Sequence, residues 1–252
     1  MVAAVGAVPT SHAVPVDGRR EDGNLLLAGL PPASRRSLQP HLERVSLPSR
    51  RVVMEPGEPI TDVYFPETGV LSQSVRLADG SAVEVNLVGH EGMAGLAVYL
   101  GAGSAPLEVT SLVPGTHLRM RAATLVELSR EDRAFLDRLH LYTQVVLSVR
   151  ACSVGCDRLH PVQARLARWL LKAHDRARVD EFPLTHDVLA LMLGVARPSV
   201  SVNARALQRV GLIDYRRGHV RILDRTGLER LACECYWTVR QEFGRLLGGS
   251  TG

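Results

Sequence analysis

The sequence has few cysteines and no long apolar run, and both scarcities narrow the class of protein. Its four cysteines form two close pairs, Cys152 with Cys156 and Cys233 with Cys235, unlike the spread-out framework of a small secreted protein. We therefore predict free thiols. No uninterrupted apolar run approaches the roughly 18 residues of a membrane-spanning helix, and the N-terminus has neither a basic start nor a continuous apolar block. These absences predict a cytoplasmic protein that makes no membrane contact.

Motifs of catalysis are also missing. The segment His90-Glu91-Gly92-Met93-Ala94 lacks the second histidine of a zinc-protease motif. The chain has neither a Gly-x-Ser-x-Gly nucleophile elbow nor a Gly-x4-Gly-Lys-Ser/Thr phosphate loop. The sequence therefore predicts that the chain is not an enzyme.

Lysine is almost absent, since Lys172 is the one lysine, and the positive charge is carried by arginine in one segment. The formal net charge is +4, but residues 160–225 contain twelve Arg or Lys against six Asp or Glu and so carry +6, which leaves −2 for the rest. A basic segment beside a mildly acidic remainder indicates a domain that binds a polyanion, with nucleic acid as the first candidate. A strong arginine bias can also result from the base composition of a genome. Charge alone therefore does not identify nucleic acid as the partner.

Changes in composition divide the chain into segments. Residues 1–24 are rich in Ala, Val, Gly and Pro without a period and are predicted to be a disordered tail. Residues 25–129 contain short runs bounded by Pro and Gly, and apolar residues alternate on both sides of Asp79-Gly80, as in a β-hairpin. This texture predicts a small antiparallel β-roll. A long helix over residues 130–157 and a second domain over residues 158–247 follow.

The long helix contains an apolar stripe with the 4-3 spacing of a coiled-coil seam. Such a seam pairs with another helix, so we predict that two copies of the chain form a homodimer through it. The alternative is that the seam packs on its own β-roll. The predicted interface residues are Phe135, Leu139, Tyr142, Val146 and Val149.

The stretch ALMLGVARPSV, residues 190–200, has the signals of two short helices joined by a tight turn. Thr185 is a good N-cap for a helix over residues 186–193, and Gly194 ends that helix by allowing a left-handed turn. Pro198 fits only the first turn of a helix, so a second helix begins there.

The second helix has one apolar face and one basic face. At about 100° per residue, Val200, Ala204, Leu207 and Gly211 share the face predicted to be buried. The opposite face offers arginines, serines and one methyl-bearing residue, which suits a helix lying in a major groove. Residues 211–223 then read as two strands around a basic tip. The predicted DNA-contacting residues are Arg197, Ser199, Ser201, Val202, Arg205 and Arg209 on the helix, with Arg216, Arg217 and His219 on the hairpin.

Helix, tight turn, helix and basic hairpin form a winged helix-turn-helix. At this point the sequence resembles the Crp/Fnr family of bacterial transcription regulators over roughly residues 45–247. The resemblance is carried by LTHDVLALMLGVARPSV (184–200), ALQRVGLI (206–213), RLARWL (165–170) and VGHEGMAG (88–95). It implies an α+β fold with an N-terminal antiparallel β-roll of the cyclic-nucleotide-binding jelly-roll type, a long dimerisation helix, and a winged domain that binds a palindromic operator.

The resemblance places an effector pocket at Gly89, Glu91, Gly92 and Met93. Members that bind cyclic nucleotides use a Gly-Glu pair for the ribose, for which Glu91 could stand, and an arginine for the cyclic phosphate. That arginine is missing, because residues 77–118 contain no Lys or Arg. A buried phosphate needs a cation or several backbone donors. We therefore predict that the chain does not bind cyclic AMP in the usual manner and that its small effector is unknown.

No metal or cofactor is predicted. Cys152 and Cys156 stand four residues apart on one helix, where packing as small hydrophobes is the preferred interpretation over metal ligation or oxidation. Cys233 and Cys235 are two residues apart, so on a helix they would point in different directions and make a poor chelate.

The predicted function is a homodimeric, sequence-specific, DNA-binding transcription regulator. Its predicted partners are double-stranded DNA, a second copy of the chain and an unknown small effector, with RNA polymerase as a further candidate. The alternative is a signal-sensing or scaffold protein that acts through protein partners and has a vestigial DNA-binding domain. Val202 favours this alternative, because the best-known family members carry a second arginine at that position and this chain keeps only Arg197.

Overall fold

A computed structural model describes residues 23–78 and 82–248 of the chain, and the predicted α+β fold is confirmed. Most of the predicted tail and the Asp79-Gly80 hairpin tip lie outside the described residues. The helices are α1 Leu25–Ala28, α2 Pro32–Leu38, α3 Ala122–Glu131, α4 Arg133–Leu159, α5 Val162–Ala177, α6 His186–Leu193, α7 Arg197–Arg209, α8 Arg225–Leu231 and α9 Cys235–Leu247. The strands are β1 Glu43–Leu47, β2 Val52–Met54, β3 Asp62–Pro66, β4 Val70–Arg76, β5 Ala82–Val88, β6 Glu108–Val113, β7 Gly115–Arg121, β8 Glu181–Pro183, β9 Ile213–Arg216 and β10 His219–Ile222.

Asn24, which the sequence places in the tail, is part of the folded roll. Its side chain is buried, caps α1 by accepting from the N–H groups of Leu26 and Leu27, and donates to the carbonyls of Pro66 and Gly92 at 2.9 and 2.7 Å. Asn and Asp are favoured at such caps because a short side-chain oxygen reaches the free N–H groups of the first turn. The boundary of the folded part therefore lies before residue 24 rather than after it.

Two antiparallel sheets form the roll, with strand orders β1-β7-β3 and β2-β6-β4-β5. The predicted hairpin is the β4–β5 pair. Its outer face differs from the expectation of a solvated surface, because Ser72 and Ser74 are buried there. The physical reason is that α5 and α6 pack on this sheet, so both of its faces are covered. Among the described residues of the hairpin, exposure increases towards its tip, where Leu77 is half exposed.

The long helix is interrupted near its predicted start. Asp132 leaves the helical conformation and accepts a hydrogen bond from the N–H of Phe135 at 3.0 Å, so α3 ends before it and α4 begins after it. Asp is strongly favoured at N-caps, and here its capping hydrogen bond interrupts a helix that the sequence periodicity would continue. The helix therefore covers residues 133–159 rather than 130–157.

The predicted dimer seam is buried inside the chain, which corrects the assignment of that face to a second copy. Phe135, Leu139, Tyr142 and Val146 belong to the core of the roll, and Val149 packs with Val239 of α9. All five are at most 5% exposed. The 4-3 spacing correctly identifies a stripe that packs against something, but it does not identify the partner. The alternative stated for the sequence, packing on the chain's own roll, is what the structure contains.

The C-terminal domain shares its hydrophobic core with the outer surface of the roll. Val70, Leu87 and Val113 of the roll join the cluster built by α5, α6 and α7. A short strand, β8, was not predicted and pairs with β10, which makes the wing a three-stranded sheet in the order β8-β10-β9. Within the described part of the chain, no helix combines the length and apolar character needed to cross a membrane.

The burial of the α4 seam predicts that truncating a seam leucine lowers the free energy of unfolding more than truncating an exposed leucine elsewhere. Leu139→Ala removes a fully buried side chain from the roll core and should lower the free energy of unfolding by about 2–5 kcal/mol. Leu100→Ala, at a leucine that is 58% exposed, serves as control and should change it by no more than about 0.5 kcal/mol. Urea denaturation measures both. Equal, small losses would show that Leu139 is not a core residue.

Candidate nucleic-acid interface

The helix-turn-helix has the local structure that its sequence predicts. α6 covers residues 186–193, the Thr185 side chain accepts from the N–H of Val188 at 3.2 Å, and Gly194 is left-handed with φ 59°. Pro198 lies in the first turn of α7, where it has no intrahelical N–H bond to lose. These local signals place the two helices of the motif without reference to the rest of the fold.

The exposed face of α7 is the predicted basic face. Val200, Ala204 and Leu207 are buried as expected, whereas Gly211 is exposed in the turn after the helix, with φ 74°, and is not part of the buried face. The side chain of Val202 is 66% exposed. The exposed members of the predicted set are Arg197, Val202, Arg205, Arg209, Arg216, Arg217 and His219, and the half-buried members are Ser199 and Ser201.

Hydrogen bonds behind α7 fix its position. The Ser201 hydroxyl lies 2.9 Å from Nδ1 of His186, the first residue of α6, and the His186 ring packs on the Tyr215 ring with centroids 4.4 Å apart. The Tyr215 hydroxyl donates to the carbonyl of Leu184. Partial burial and the nearby charges of Arg197 and Arg205 lower the pKa of His186. The Ser201 hydroxyl is thus engaged inside the domain, and its role is to hold α7 against α6.

A buried arginine secures the other end of α6. Arg165 of α5 donates to the carbonyl of Leu193, where the helix ends, and its guanidinium lies 2.9 Å from the Asp157 carboxylate. The final carbonyls of a helix have no intrahelical partner and carry the negative end of its dipole, so a cation is stabilising there. This contact ties α6 to the end of α4.

The wing turns tightly at its basic tip. Arg217 and Gly218 are both left-handed, with φ 50° and 78°, as in the two-residue turns whose twist matches that of β-hairpins. Glycine adopts this conformation freely, whereas arginine does so at a cost. The tip keeps Arg216, Arg217 and His219 exposed.

The cations of this surface are available to an external anion. Arg197 pairs with Asp187 at 2.9 Å and Arg216 with Asp214 at 3.0 Å, both arginines being largely exposed. Exposed pairs of this kind are worth about 0–1 kcal/mol, so a phosphate can replace the carboxylate. Among the described residues, no ion pair engages the remaining basic members, which are Arg205, Arg209 and Arg217.

The residues predicted to line an effector pocket are packed by side chains of other elements. Glu91 lies 2.8 Å from Nε of Arg176 on α5, and Met93 exchanges hydrogen bonds with the Tyr142 hydroxyl through both its N–H and its carbonyl, each at 3.1 Å. A Cβ on Gly89 would collide with Arg176, and one on Gly92 with Tyr142. Residues 77–118 contain no Lys or Arg, and the cation that pairs with Glu91 comes from the C-terminal domain. The role of these four residues in effector binding stays a prediction.

A second buried pair lies next to the first. The Lys172 amine is 3.9 Å from a Glu84 carboxylate oxygen, and the Trp169 indole N–H donates to the same carboxylate at 3.3 Å. Both charged side chains are at most 6% exposed. Burial raises the pKa of Glu84 and lowers that of Lys172 to about 8, while each charge opposes the shift of the other.

The structure also brings together a set of residues that sequence reasoning kept apart. Cys156, His160, Cys233 and Cys235 offer ligand atoms within 4.8 Å of one another. The prediction that the second cysteine pair makes a poor chelate assumed that both lie on a helix, but Cys233 precedes α9. The available signal was the spacing of Cys156 and His160, which are four residues apart at the end of α4.

Residues 164–231 match the family model of the Crp-like helix-turn-helix domain. The chain therefore contains a Crp-like helix-turn-helix domain over these residues. No curated protein matches it. Among solved structures it resembles FixK2 from Bradyrhizobium japonicum, with a TM-score of 0.65 and 18% identity over 76% of this chain and 98% of that one. A putative Crp/Fnr regulator from Eubacterium rectale gives a TM-score of 0.64 and 17% identity over 82% and 96% of the two chains.

The c-di-GMP-responsive global regulator CLP from Xanthomonas campestris also has this fold, with a TM-score of 0.61 and 16% identity over 75% of this chain and 98% of that one. At these identities the likeness concerns the fold alone. The Crp/Fnr resemblance expected from the sequence is thus confirmed, with a Crp-like domain that contains α6, α7 and the β9–β10 hairpin of the wing. The regulators matched are not enzymes, in agreement with the prediction for this chain.

The buried contact between the Crp-like domain and the roll leads to a stability prediction. Glu84→Gln leaves the Lys172 ammonium buried without its anion and should cost about 3–5 kcal/mol of unfolding free energy. The control, Glu181→Gln, breaks an exposed pair with Arg221 and should cost at most about 1 kcal/mol. Urea denaturation compares the two variants. A loss for Glu84→Gln no larger than for the control would mean that the pair is not desolvated in solution.

Proposed function

We propose that the chain is a homodimeric, sequence-specific DNA-binding transcription regulator, with α7 as the helix that enters the major groove. The observation that carries the proposal is the exposed basic face of α7 on a Crp-like helix-turn-helix domain. A recognition helix needs side chains that are free to leave the protein surface, and Arg205 and Arg209 meet this requirement. The wing cations Arg216 and Arg217 suit contacts with the phosphate backbone, which add affinity without reading sequence.

The proposal on DNA contact predicts a specific loss for Arg205→Ala. Genomic fragments retained by the wild-type chain serve as probes, and dissociation constants are measured at several salt concentrations. If Arg205 reads a guanine, affinity should fall by about 5- to 150-fold, corresponding to about 1–3 kcal/mol. If it contacts a phosphate, the salt slope should fall by about one. Cyclic AMP should leave the wild-type affinity unchanged.

The control for this experiment is Arg133→Ala, an exposed arginine at the start of α4 whose side chain is 81% exposed. It should retain wild-type affinity and salt dependence, because it removes the same charge far along the chain from the Crp-like domain. If Arg205→Ala bound DNA as tightly as the wild type and with the same salt dependence, α7 would not be part of the DNA interface. Failure of the wild-type chain to retain any fragment would instead favour the scaffold alternative.

A homodimer requires a face of α4 other than the buried seam. The outward face of α4 contains a second stripe with 4-3 spacing, Leu147, Ala151 and Val154, and all three are exposed. Leu147 and Val154 are 56% and 68% exposed, which is unusual for large apolar residues on a long helix. We propose that this stripe pairs with its copy in a second chain, and that the pair of α7 helices then fits two half-sites about 34–36 Å apart.

The proposed stripe predicts that Leu147→Glu gives a monomer. A buried, unpaired carboxylate at each copy of the seam opposes association, and the two charges also repel each other. Leu100→Glu, at a leucine of similar exposure outside α4, should leave the oligomeric state unchanged. Light scattering at micromolar concentration measures the mass of both variants. A wild-type monomer, or a dimer that survives Leu147→Glu, would contradict the proposed interface.

A further inference from the structure

Four ligand-type side chains meet where the end of α4 approaches the start of α9. Cys156 lies in the last turn of α4 and His160 directly follows that helix, while Cys233 lies in the connection from α8 to α9 and Cys235 is the first residue of α9. The Sγ atoms of Cys156 and Cys233 are 3.4 Å apart, and the Sγ of Cys235 is 3.7 Å from Nδ1 of His160. All four ligand atoms lie within 4.8 Å of one another.

We propose that this cluster is a zinc site of the Cys3His type. A tetrahedral ion with Zn–S bonds of about 2.3 Å and a Zn–N bond of about 2.0–2.1 Å separates its ligand atoms by about 3.5–3.8 Å. The two measured separations, 3.4 and 3.7 Å, are already close to that value. Cys233 and Cys235 have Cys-x-Cys spacing, and Cys156 and His160 stand four residues apart, or one helical turn. Each half of the site therefore comes from a short segment.

The hydrogen bond to the remaining histidine nitrogen supports this assignment. Nδ1 of His160 faces the cysteines, while Nε2 lies 3.1 Å from the Glu234 carboxylate. Histidines that bind metals almost always donate their other ring N–H to a carboxylate, a carbonyl or water, which fixes the tautomer and raises the basicity of the ligating nitrogen. Glu234 stands between the two cysteine ligands, so the same turn supplies this partner.

A buried arginine provides the charge that a thiolate site requires. Arg168 of α5 is 5% exposed, and its Nε and Nη1 have no hydrogen-bond partner among the described residues. The guanidinium of Arg168 lies close enough to Cys156 and Cys233 for its positive charge to act on both. Zinc displaces the thiol protons to solvent on binding, and Zn²⁺ with three thiolates has a net charge of −1. Arg168 offsets that charge in a region where an isolated one is costly.

The burial of the cluster distinguishes a structural ion from a catalytic one. Cys156, Cys233 and Cys235 are at most 8% exposed, and the cluster offers the four protein ligands that a structural zinc ion requires. Structural zinc sites are closed in this way, whereas catalytic sites keep one position for water or substrate. The ion would therefore join the end of α4 to the start of α9 and stabilise the contact between them.

The test uses the full chain, purified under reducing conditions, stripped with a chelator, and titrated with Zn²⁺ or Co²⁺. We expect one zinc per chain by elemental analysis, and for Co²⁺ the visible bands of a tetrahedral site with a near-ultraviolet thiolate charge-transfer band. Zinc should also raise the melting temperature of the stripped chain, because binding to the native state alone is stabilising. This readout is independent of DNA binding.

Variants locate the ion among the cysteines. Cys233→Ser should lower zinc affinity by at least tenfold and abolish the cobalt charge-transfer band of that thiolate. Cys152→Ser is the matched control, since Cys152 is on α4 one turn before Cys156 but outside the cluster, and it should bind zinc like the wild type. The proposal is overturned if the stripped wild type binds no zinc, if Cys152→Ser and Cys233→Ser lose zinc equally, if the isolated chain holds iron and sulfide, or if Cys156 and Cys233 are isolated as a disulfide.

Discussion

The position of the Crp-like domain depends on charges of α5 that are buried against the roll. Lys172 faces Glu84 and Arg176 faces Glu91, and each of these four side chains is at most 14% exposed. Removing an ion pair from water costs as much as its attraction returns unless the geometry is good, so such pairs favour one arrangement over others more than they add stability. A shift of α5 along the sheet would leave two cations and two anions buried without partners. The contact is therefore specific even though the apolar cluster around it supplies the larger driving force.

This contact also links the predicted effector residues to the DNA-binding domain. Glu91 is predicted from the sequence to meet a ligand in the roll, and its carboxylate is paired with Arg176 of α5. Any ligand that donates a hydrogen bond to the Glu91 carboxylate must compete with that guanidinium. Because α5 also supports α6 through Arg165, the predicted effector residues and the helix-turn-helix belong to one network of contacts.

The features predicted correctly from the sequence are those determined by local chemistry. Thr185, Gly194 and Pro198 each restrict the backbone within a few residues, so the bounds of α6 follow from them almost directly. The features predicted wrongly depend on what a segment packs against. The same spacing of Leu139 and Tyr142 fits a dimer seam or a buried stripe, and periodicity contains no information on the partner. The cysteine cluster required a tertiary contact between segments more than seventy residues apart, together with a non-helical Cys233.

α4 is the element that connects the roll, α9, α5 and the cysteine cluster. One face packs into the roll, where Tyr142 bonds both backbone groups of Met93, and a neighbouring position, Val149, packs on α9. Its last turn contributes Asp157, which pairs with Arg165, and Cys156 of the cysteine cluster. One continuous helix thus joins the Tyr142 contact in the roll to the Asp157–Arg165 pair at the C-terminal end of α6, and the exposed Leu147 stripe lies between these two contacts.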